Sequence, residues 1–344
     1  MASVCVWDGR AQSMKISVII PTYTRPQSLL QTLCSLQEQT LANFEIIVVD
    51  NAADSDVERM ATEFNHAATV PVRYMPEPQL GAHNARHTGA HAAEGDILVF
   101  ADDDETFAPE WLGAYARAFA EHPEMAAAGG PIRLVWEAPP PAWLLEFMGH
   151  ARTFIILGLL DASDEFCLSP KGGFFSGNMA IRRDVFFQLG GFNPDQVGAF
   201  LLGDGETGLN RKLWDQGMLV GYVPEAIIYH HIPPQKMTVK FFRHRMANEG
   251  AAEVYTRFHE GVPGWFHLCK HAAGITLRNG KPWIADLFLK GRTDVRSLTT
   301  QLHAARTQSE LKYVIRLMLD KNLRKLVLKK DWLNESCASA SYQT

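Results

Sequence analysis
The 344-residue chain has little cysteine, little net charge and no long apolar run, and each shortage excludes a class of protein. Its five cysteines are widely separated, odd in number and without CxxC spacing, which argues against a disulfide framework or a structural zinc site. That usage fits a reducing, cytoplasmic setting. A formal net charge of −5 argues against a nucleic-acid binder. No stretch reaches the ~18 to 20 apolar residues that a bilayer span requires; the longest candidate, Phe154 to Leu160, falls far short. Internal repeats and low-complexity tracts are also missing. Residues 1–14, with Asp8 and Arg10 and no apolar core, read as a flexible extension rather than a signal peptide. What is present is 47% hydrophobic residues, enough for a substantial core.

Against that background the run Asp102-Asp103-Asp104 stands out, directly after the apolar Ile97-Leu98-Val99-Phe100-Ala101. Three carboxylates leaving a buried strand repel one another unless a cation or hydrogen-bond donors offset them. Mg²⁺ or Mn²⁺ favours oxygen ligands, and a metal–diphosphate complex would supply the missing charge. Alone, the triplet reads better as a solvated acidic turn. Two earlier strands, however, end in equally polar residues. Ile16 to Ile20 runs into Pro21-Thr22-Tyr23-Thr24-Arg25-Pro26, and Glu45 to Val49 runs into Asp50-Asn51. Between them Leu29, Leu30, Leu33 and Leu36 recur at helical spacing. A short helix at Asp56 to Phe64, a strand at Val70 to Met75 and a helix near Ala85 to Ala93 complete an alternation of strands and helices. That pattern predicts an α/β domain with a mainly parallel sheet buried on both faces. Ligands bind beyond the carboxyl edge of such sheets, so Thr22, Arg25, Asp50 and Asp102 to Asp104 are expected to converge.

These segments resemble family 2 glycosyltransferases of the GT-A (Rossmann-like) fold. KISVIIPTYTRPQSLLQTLCSLQEQT is similar to that family's first strand, nucleotide loop and first helix, and FEIIVVDNAADSD to its second strand and acidic residue. GAHNARHTGAHAAEGDILVFADDDETFAPEWL is similar to the helix, strand and metal-binding segment, and GNMAIRRDVFFQLGGFNPD to the segment before the acceptor-side helix. The match runs in order from Lys15 to His231. It implies a nucleotide-diphosphate-sugar donor, most simply a UDP-sugar, and a glycan, lipid-linked or small-molecule acceptor hydroxyl. Pro21, Thr22 and Arg25 match the loop around the base and diphosphate, and Asp50 the carboxylate on the nucleobase. Gly81 and Arg86 match a glycine followed by an Ala-Arg-Asn-x-Gly helix, in which His87 replaces the Asn. Asp102 aligns near the ribose and Asp104 with the Mn²⁺ or Mg²⁺ ligand, while Asp103 supports either role. The DDxxD motif of isoprenoid enzymes is excluded because Thr106 stands at its last Asp and the sheet pattern is wrong.

Asp204 and Glu206 lie in Leu202-Gly203-Asp204-Gly205-Glu206-Thr207-Gly208-Leu209, ahead of a helix through Leu213 to Gln216. GxGxxG is only nominal here, since a preceding strand is lacking and the carboxylates would repel a diphosphate. The resemblance, with Gly205 in place of a Glu, puts Glu206 at the general base, and Asp204 is the second candidate. The bland alternative is an acidic helix start favoured by the macrodipole. His230 and His231 follow a strand at Ala226 to Tyr229 and point to opposite sides, so one can complete a metal shell; His231 is the expected one. Lys171 to Asn178 is either pocket lining or a tight connection, and Trp143 either a sugar platform or an anchor.

After Pro233-Pro234 helices are predicted, which sets a catalytic domain over 15–232 and a mainly helical region over 233–344. Arg243 or Arg245 is a candidate for touching the diphosphate or closing over it, although either alone reads better as part of a solvated helix face. The basic, amphipathic stretch Glu310 to Leu333 either docks on its own domain or makes peripheral contact with the inner face of a membrane. A catalytically silent sugar-nucleotide or glycan binder is the alternative to an inverting, metal-dependent transferase. A nucleotidyltransferase would need a glycine- and lysine-rich loop where Pro21 to Arg25 stands. A two-carboxylate glycosidase would leave the strand ends unexplained.

Overall fold
A computed structural model describes residues 14–194, 196–197, 200–201 and 203–333. The expected flexible extension lies, except for Met14, outside the described residues. The amino-terminal half alternates as predicted: β1 (Ile16–Thr22), α1 (Pro26–Leu36), β2 (Phe44–Asp50), α2 (Ser55–Ala67), β3 (Val72–Pro76), α3 (Ala82–Ala92) and β4 (Ile97–Phe100). There follow β5 (Glu105–Phe107), α4 (Trp111–Glu121), β6 (Met125–Gly129), β7 (Ile132–Trp136) and α5 (Ala142–Met148). Short strands β8 (Thr153–Phe154), β9 (Leu159–Leu160) and β10 (Cys167–Ser169) lead to β11 (Met179–Arg182) and α6 (Arg183–Gln188). A two-residue ribbon, β12 (Gln196–Val197) and β13 (Phe200–Leu201), precedes α7 (Gly205–Asp215), β14 (Leu219–Tyr222) and β15 (Ile228–Ile232).

Eight strands form the main sheet in the order β10-β14-β6-β11-β4-β1-β2-β3. β1 runs parallel to β2 and β4, whereas β11 runs antiparallel between β4 and β6. The sheet is therefore mixed: β4, β1, β2 and β3 run parallel, β14 runs parallel to β6, and β11 and β10 run antiparallel to their neighbours. Its strands are apolar on both faces because both are covered. Ile16, Val18 and Ile20 pack with Leu29, Leu33, Trp111 and Tyr115 on one side, while Ile19, Ile47 and Val49 pack with Phe186 and Phe192 on the other. A second sheet, β5-β15-β7-β9-β8, sets β15 beside the acidic triplet, with the His231 amide donating to the Asp104 carbonyl.

The chain continues as α8 (Val239–Phe258), α9 (Trp265–Leu289), α10 (Val295–Leu319) and α11 (Lys321–Val327). Packing joins these helices to the sheets: Leu144 and Ile232 share a core with Phe242, Leu298 and Leu302. Trp143, within α5 rather than on a loop, meets Phe242 edge-on at 5.4 Å in that core and so anchors the helix. The stretch from Glu310 is not one helix. Asp320 interrupts it and caps α11 by accepting from the Asn322 and Leu323 amides. Val314, Leu317, Leu323 and Val327 turn inward, while Ile315 and Leu319 face solvent. Among the described residues no helix is long and apolar enough to cross a membrane.

Candidate active site
The parallel register places Thr22 beside Asp50 at the carboxyl edge, and the residues after β4 fold back onto the same edge. Thr22 Oγ1 donates to Asp103 Oδ2 at 2.7 Å, and Arg25 reaches both Asp103 and Asp104 at 3.1 Å. Pro21, buried in β1, holds this loop in line with Val49. Burial pushes the Asp103 carboxyl up to about 6, against the opposing charge of Arg25. Asp50 is wholly internal. Its Oδ1 accepts the Ala52 amide, and its Oδ2 accepts the Asp54 amide and the Tyr74 hydroxyl. Gly81, at a φ of +130°, donates its amide to Asn51 Oδ1 and starts α3 next to that loop.

Asp104 carries the densest set of contacts. Lys236 Nζ lies 2.7 Å from its Oδ2, and His230 Nε2 lies 3.6 Å from its Oδ1. Burial opposes its charge, but the His230 and Lys236 contacts outweigh burial and hold the carboxyl well below the usual range. The structure thus turns His230, not His231, toward Asp104; the His231 ring meets Thr106 Oγ1 at 3.0 Å instead. His230 Nδ1 lies 2.9 Å from the Leu157 carbonyl, and its Nε2 lies 3.0 Å from Lys236 Nζ. Sequence inspection had no reason to single out Lys236, which is separated from Asp104 by over a hundred residues.

Among the described residues no cluster of three or more His, Cys, Asp and Glu side chains is arranged to hold a metal. The donors nevertheless fit a cation that arrives with a diphosphate. Mg²⁺ and its relatives use one or two protein ligands and complete their shells with phosphate oxygens and water. Asp104 and His230 present one carboxylate and one imidazole nitrogen to the Lys236 ammonium.

Helix α3 connects this edge to the second acidic site. Arg86 Nη2 lies 2.5 Å from Asp102 Oδ1, and one turn earlier His83 Nε2 lies 3.7 Å from Glu206 Oε2. Both side chains rest on Phe192: the His83 ring lies at 4.7 Å and the Arg86 guanidinium at 5.9 Å. Gly205 is required between them, because its φ is +51° and a Cβ there would come within 2.6 Å of the His83 ring. His87, the departure from the family pattern, is buried and accepts the Phe192 amide at 2.9 Å. Burial, then the neighbouring His83, keeps it neutral.

The two α7 carboxylates have different surroundings. Asp204 is buried and fully engaged, with Oδ1 accepting from Asn193 at 2.8 Å and Oδ2 from Thr256 at 2.6 Å. Glu206 is 29% exposed. It lines a cavity of about 210 Å³ with Leu160, Gly173, Phe174, Asn210 and Trp214. The glycine-rich stretch thus both walls a pocket and makes a close connection, since a Cβ on Gly177 would collide with Glu105. Glu105, unremarked in the sequence, is buried and accepts the Asp102 amide at 2.8 Å. Burial first, then the Asp102 charge, raises its pKa well above the usual range. Arg243 is not at the sheet edge; it pairs with Asp286. Arg245 lies 3.9 Å from Glu249.

Comparison with known proteins gives this arrangement a family. The sequence profile of glycosyl transferase family 2 matches residues 17–190, half of the chain, and the chain belongs to that family. It is 25% identical over 184 residues to a glucosyl-dolichyl phosphate glucuronosyltransferase of Haloferax volcanii, covering 53% of this chain and 57% of that protein's length. It is 23% identical over 244 residues to the succinoglycan biosynthesis protein ExoM of Rhizobium meliloti, covering 70% and 74% of the two chains. Among solved structures, the mannosyltransferase PcManGT of Pyrobaculum calidifontis, in complex with GDP-Man and Mn²⁺, superposes with a TM-score of 0.52 at 19% identity. That match covers 93% of this chain and 85% of PcManGT, and the shared fold is GT-A.

Proposed function
We propose that the protein transfers a sugar from a nucleoside-diphosphate sugar to an acceptor hydroxyl, with inversion at the anomeric carbon, in glycan biosynthesis. The observation that carries this reading is the pair of contacts from one helix turn, Arg86 on Asp102 and His83 on Glu206, which joins the strand-end carboxylates to an accessible carboxylate beside a cavity. Thr22, Arg25 and Lys236 are the donors that would meet the diphosphate when it enters the carboxyl edge. Asp102 and Asp103 orient Arg86 and Arg25, while Asp50, held by backbone amides, shapes the base end through its loop. Asp104 and His230 would hold Mn²⁺ or Mg²⁺, which when bound supplies positive charge to the leaving diphosphate. Glu206 takes the proton of the attacking hydroxyl, and Asp204 holds the start of α7 in place. One base on the face opposite the leaving group gives inversion.

The similar proteins are named for glucuronosyl transfer to a glucosyl-dolichyl phosphate, succinoglycan biosynthesis and mannosyl transfer, so saccharide acceptors, free or lipid-linked, are favoured. A UDP-sugar is the proposed donor, and GDP-Man in PcManGT makes GDP-sugars its main competitor. The test is thermal stabilisation by a panel of nucleoside diphosphates and sugar nucleotides, with and without Mn²⁺, on wild type and Asp104→Ala. A metal-dependent shift with one base, lost in the variant, is expected. A folded protein that responds to no member of the panel would overturn the proposal.

A further inference from the structure
Helix α9 is built inside out. Its buried positions Leu268, Ile275, Asn279 and Asp286 are spaced seven, four and seven residues apart, which is one stripe at ~3.6 residues per turn. Half of that inward stripe is polar. Asp286 Oδ2 accepts from Arg243 Nη2 at 2.9 Å, and Asn279 Oδ1 lies 2.8 Å from His303 Nε2. The large apolar residues lie on the other side. Phe266, Leu277, Ile284 and Phe288 are spaced eleven, seven and four residues apart, again close to whole turns at ~3.6 residues per turn. With Trp265 and Leu287 beside them, these six are between 61% and 85% exposed. No other described element exposes as many large apolar side chains. So many large apolar side chains on one outward face, with Lys270 and Lys281 set among them, mark a surface that something covers.

Charge identifies the cover. Lys270, Arg278 and Lys281 are exposed along the same helix, and Lys290 follows its end. The helix's sole acidic residue, Asp286, is buried against Arg243. A second copy packed face to face on this stripe would bring those cations against their own images. An anionic bilayer surface accepts both features at once: rings and aliphatic groups enter the acyl boundary while the cations meet lipid phosphates. We propose that the outward face of α9 docks the protein, without spanning, on an anionic phospholipid surface. The sequence pattern had pointed to the later stretch from Glu310, but most of its large apolar residues are turned inward.

The test is co-sedimentation of the full chain with vesicles of phosphatidylcholine alone and of phosphatidylcholine mixed with phosphatidylglycerol. No nucleotide is needed, so the result is independent of the transferase proposal. Binding to the mixed vesicles is expected to be at least about tenfold tighter and to weaken with salt. A Phe266→Ser, Leu277→Ser, Phe288→Ser triple variant should lose at least about tenfold in affinity at an unchanged melting temperature, because only exposed side chains change. Lys270→Gln with Lys281→Gln should reduce the preference for anionic vesicles, and Leu145→Ser, at an exposed leucine of α5, should leave binding intact. The single variants Phe266→Ser and Leu277→Ser replace the triple if it is unstable. Three results overturn the proposal: no vesicle binding, binding indifferent to the α9 variants, or a wild-type dimer in sedimentation velocity that those variants dissociate.

Discussion

The carboxyl edge of the main sheet and helix α9 distribute polar residues in opposite senses. At the edge, apolar strands stay inside and deliver their carboxylates to one rim, where Thr22, Arg25, Arg86, His230 and Lys236 meet them. In α9, the polar Asn279 and Asp286 are turned inward and the apolar residues are turned out. Every buried carboxylate in both regions still has a donor, as the cost of an unpaired buried charge demands. The difference lies in what is left over. The edge leaves one accessible carboxylate, Glu206, beside a cavity, whereas α9 leaves an apolar surface.

The largest effect should fall where that comparison is most exposed to failure, at the two α7 carboxylates. Glu206→Gln should lower the transfer rate by about 10²- to 10⁴-fold with little change in melting temperature. Asp204→Asn should instead lower the melting temperature, because it disturbs the Asn193 and Thr256 contacts. The opposite pattern in rates and melting curves would assign the base to Asp204. Next comes the buried pair of the helical region. Asp286→Ala leaves Arg243 uncompensated and should cost about 3–5 kcal/mol in denaturant unfolding. An effect below 1 kcal/mol, by the same reasoning, would mean that the inward polar stripe is not needed.

A smaller effect concerns pH. Folded His87 stays neutral, while in the unfolded chain it protonates near its ordinary value, so the unfolded state binds the extra proton as pH falls. Stability from this residue is present above ~6.5 and should fall by about 2 kcal/mol at pH 5. His87→Asn should flatten that part of the unfolding free energy measured from pH 7.5 to 5. The smallest effect sharpens the role of the edge donors. Lys236→Met should weaken binding of a nucleoside diphosphate without metal about tenfold. The same change should let Mn²⁺ alone bind more tightly, since it frees the Asp104 and His230 lone pairs; calorimetry reads both.

Much of the amino-terminal half was legible in the chain. Ile16–Ile20, Glu45–Val49 and Ile97–Phe100 carry continuous apolar runs that only doubly covered strands explain, and their polar ends named Thr22, Arg25 and Asp102 to Asp104 in advance. Less legible was the role of each neighbouring residue. His230 and His231 alternate on one strand, and nothing local says which side faces the triplet; the pairing of β15 with β5 decides it. Arg243 looked like a diphosphate contact until Asp286, on another helix, took it. The stretch from Glu310 had the right periodicity for one helix, yet Asp320 satisfies two amides by starting a new one.

By itself the sequence determined the class of fold, the location of the strand-end carboxylates and the family, because burial period and residue order are local properties of the chain. Only the tertiary structure decided that Lys236 and His230 meet Asp104, that His83 and Arg86 bridge the two acidic sites, and that α9 faces outward with its apolar side. Those are contacts between residues far apart in sequence, set by how sheets and helices pack rather than by any pattern along them.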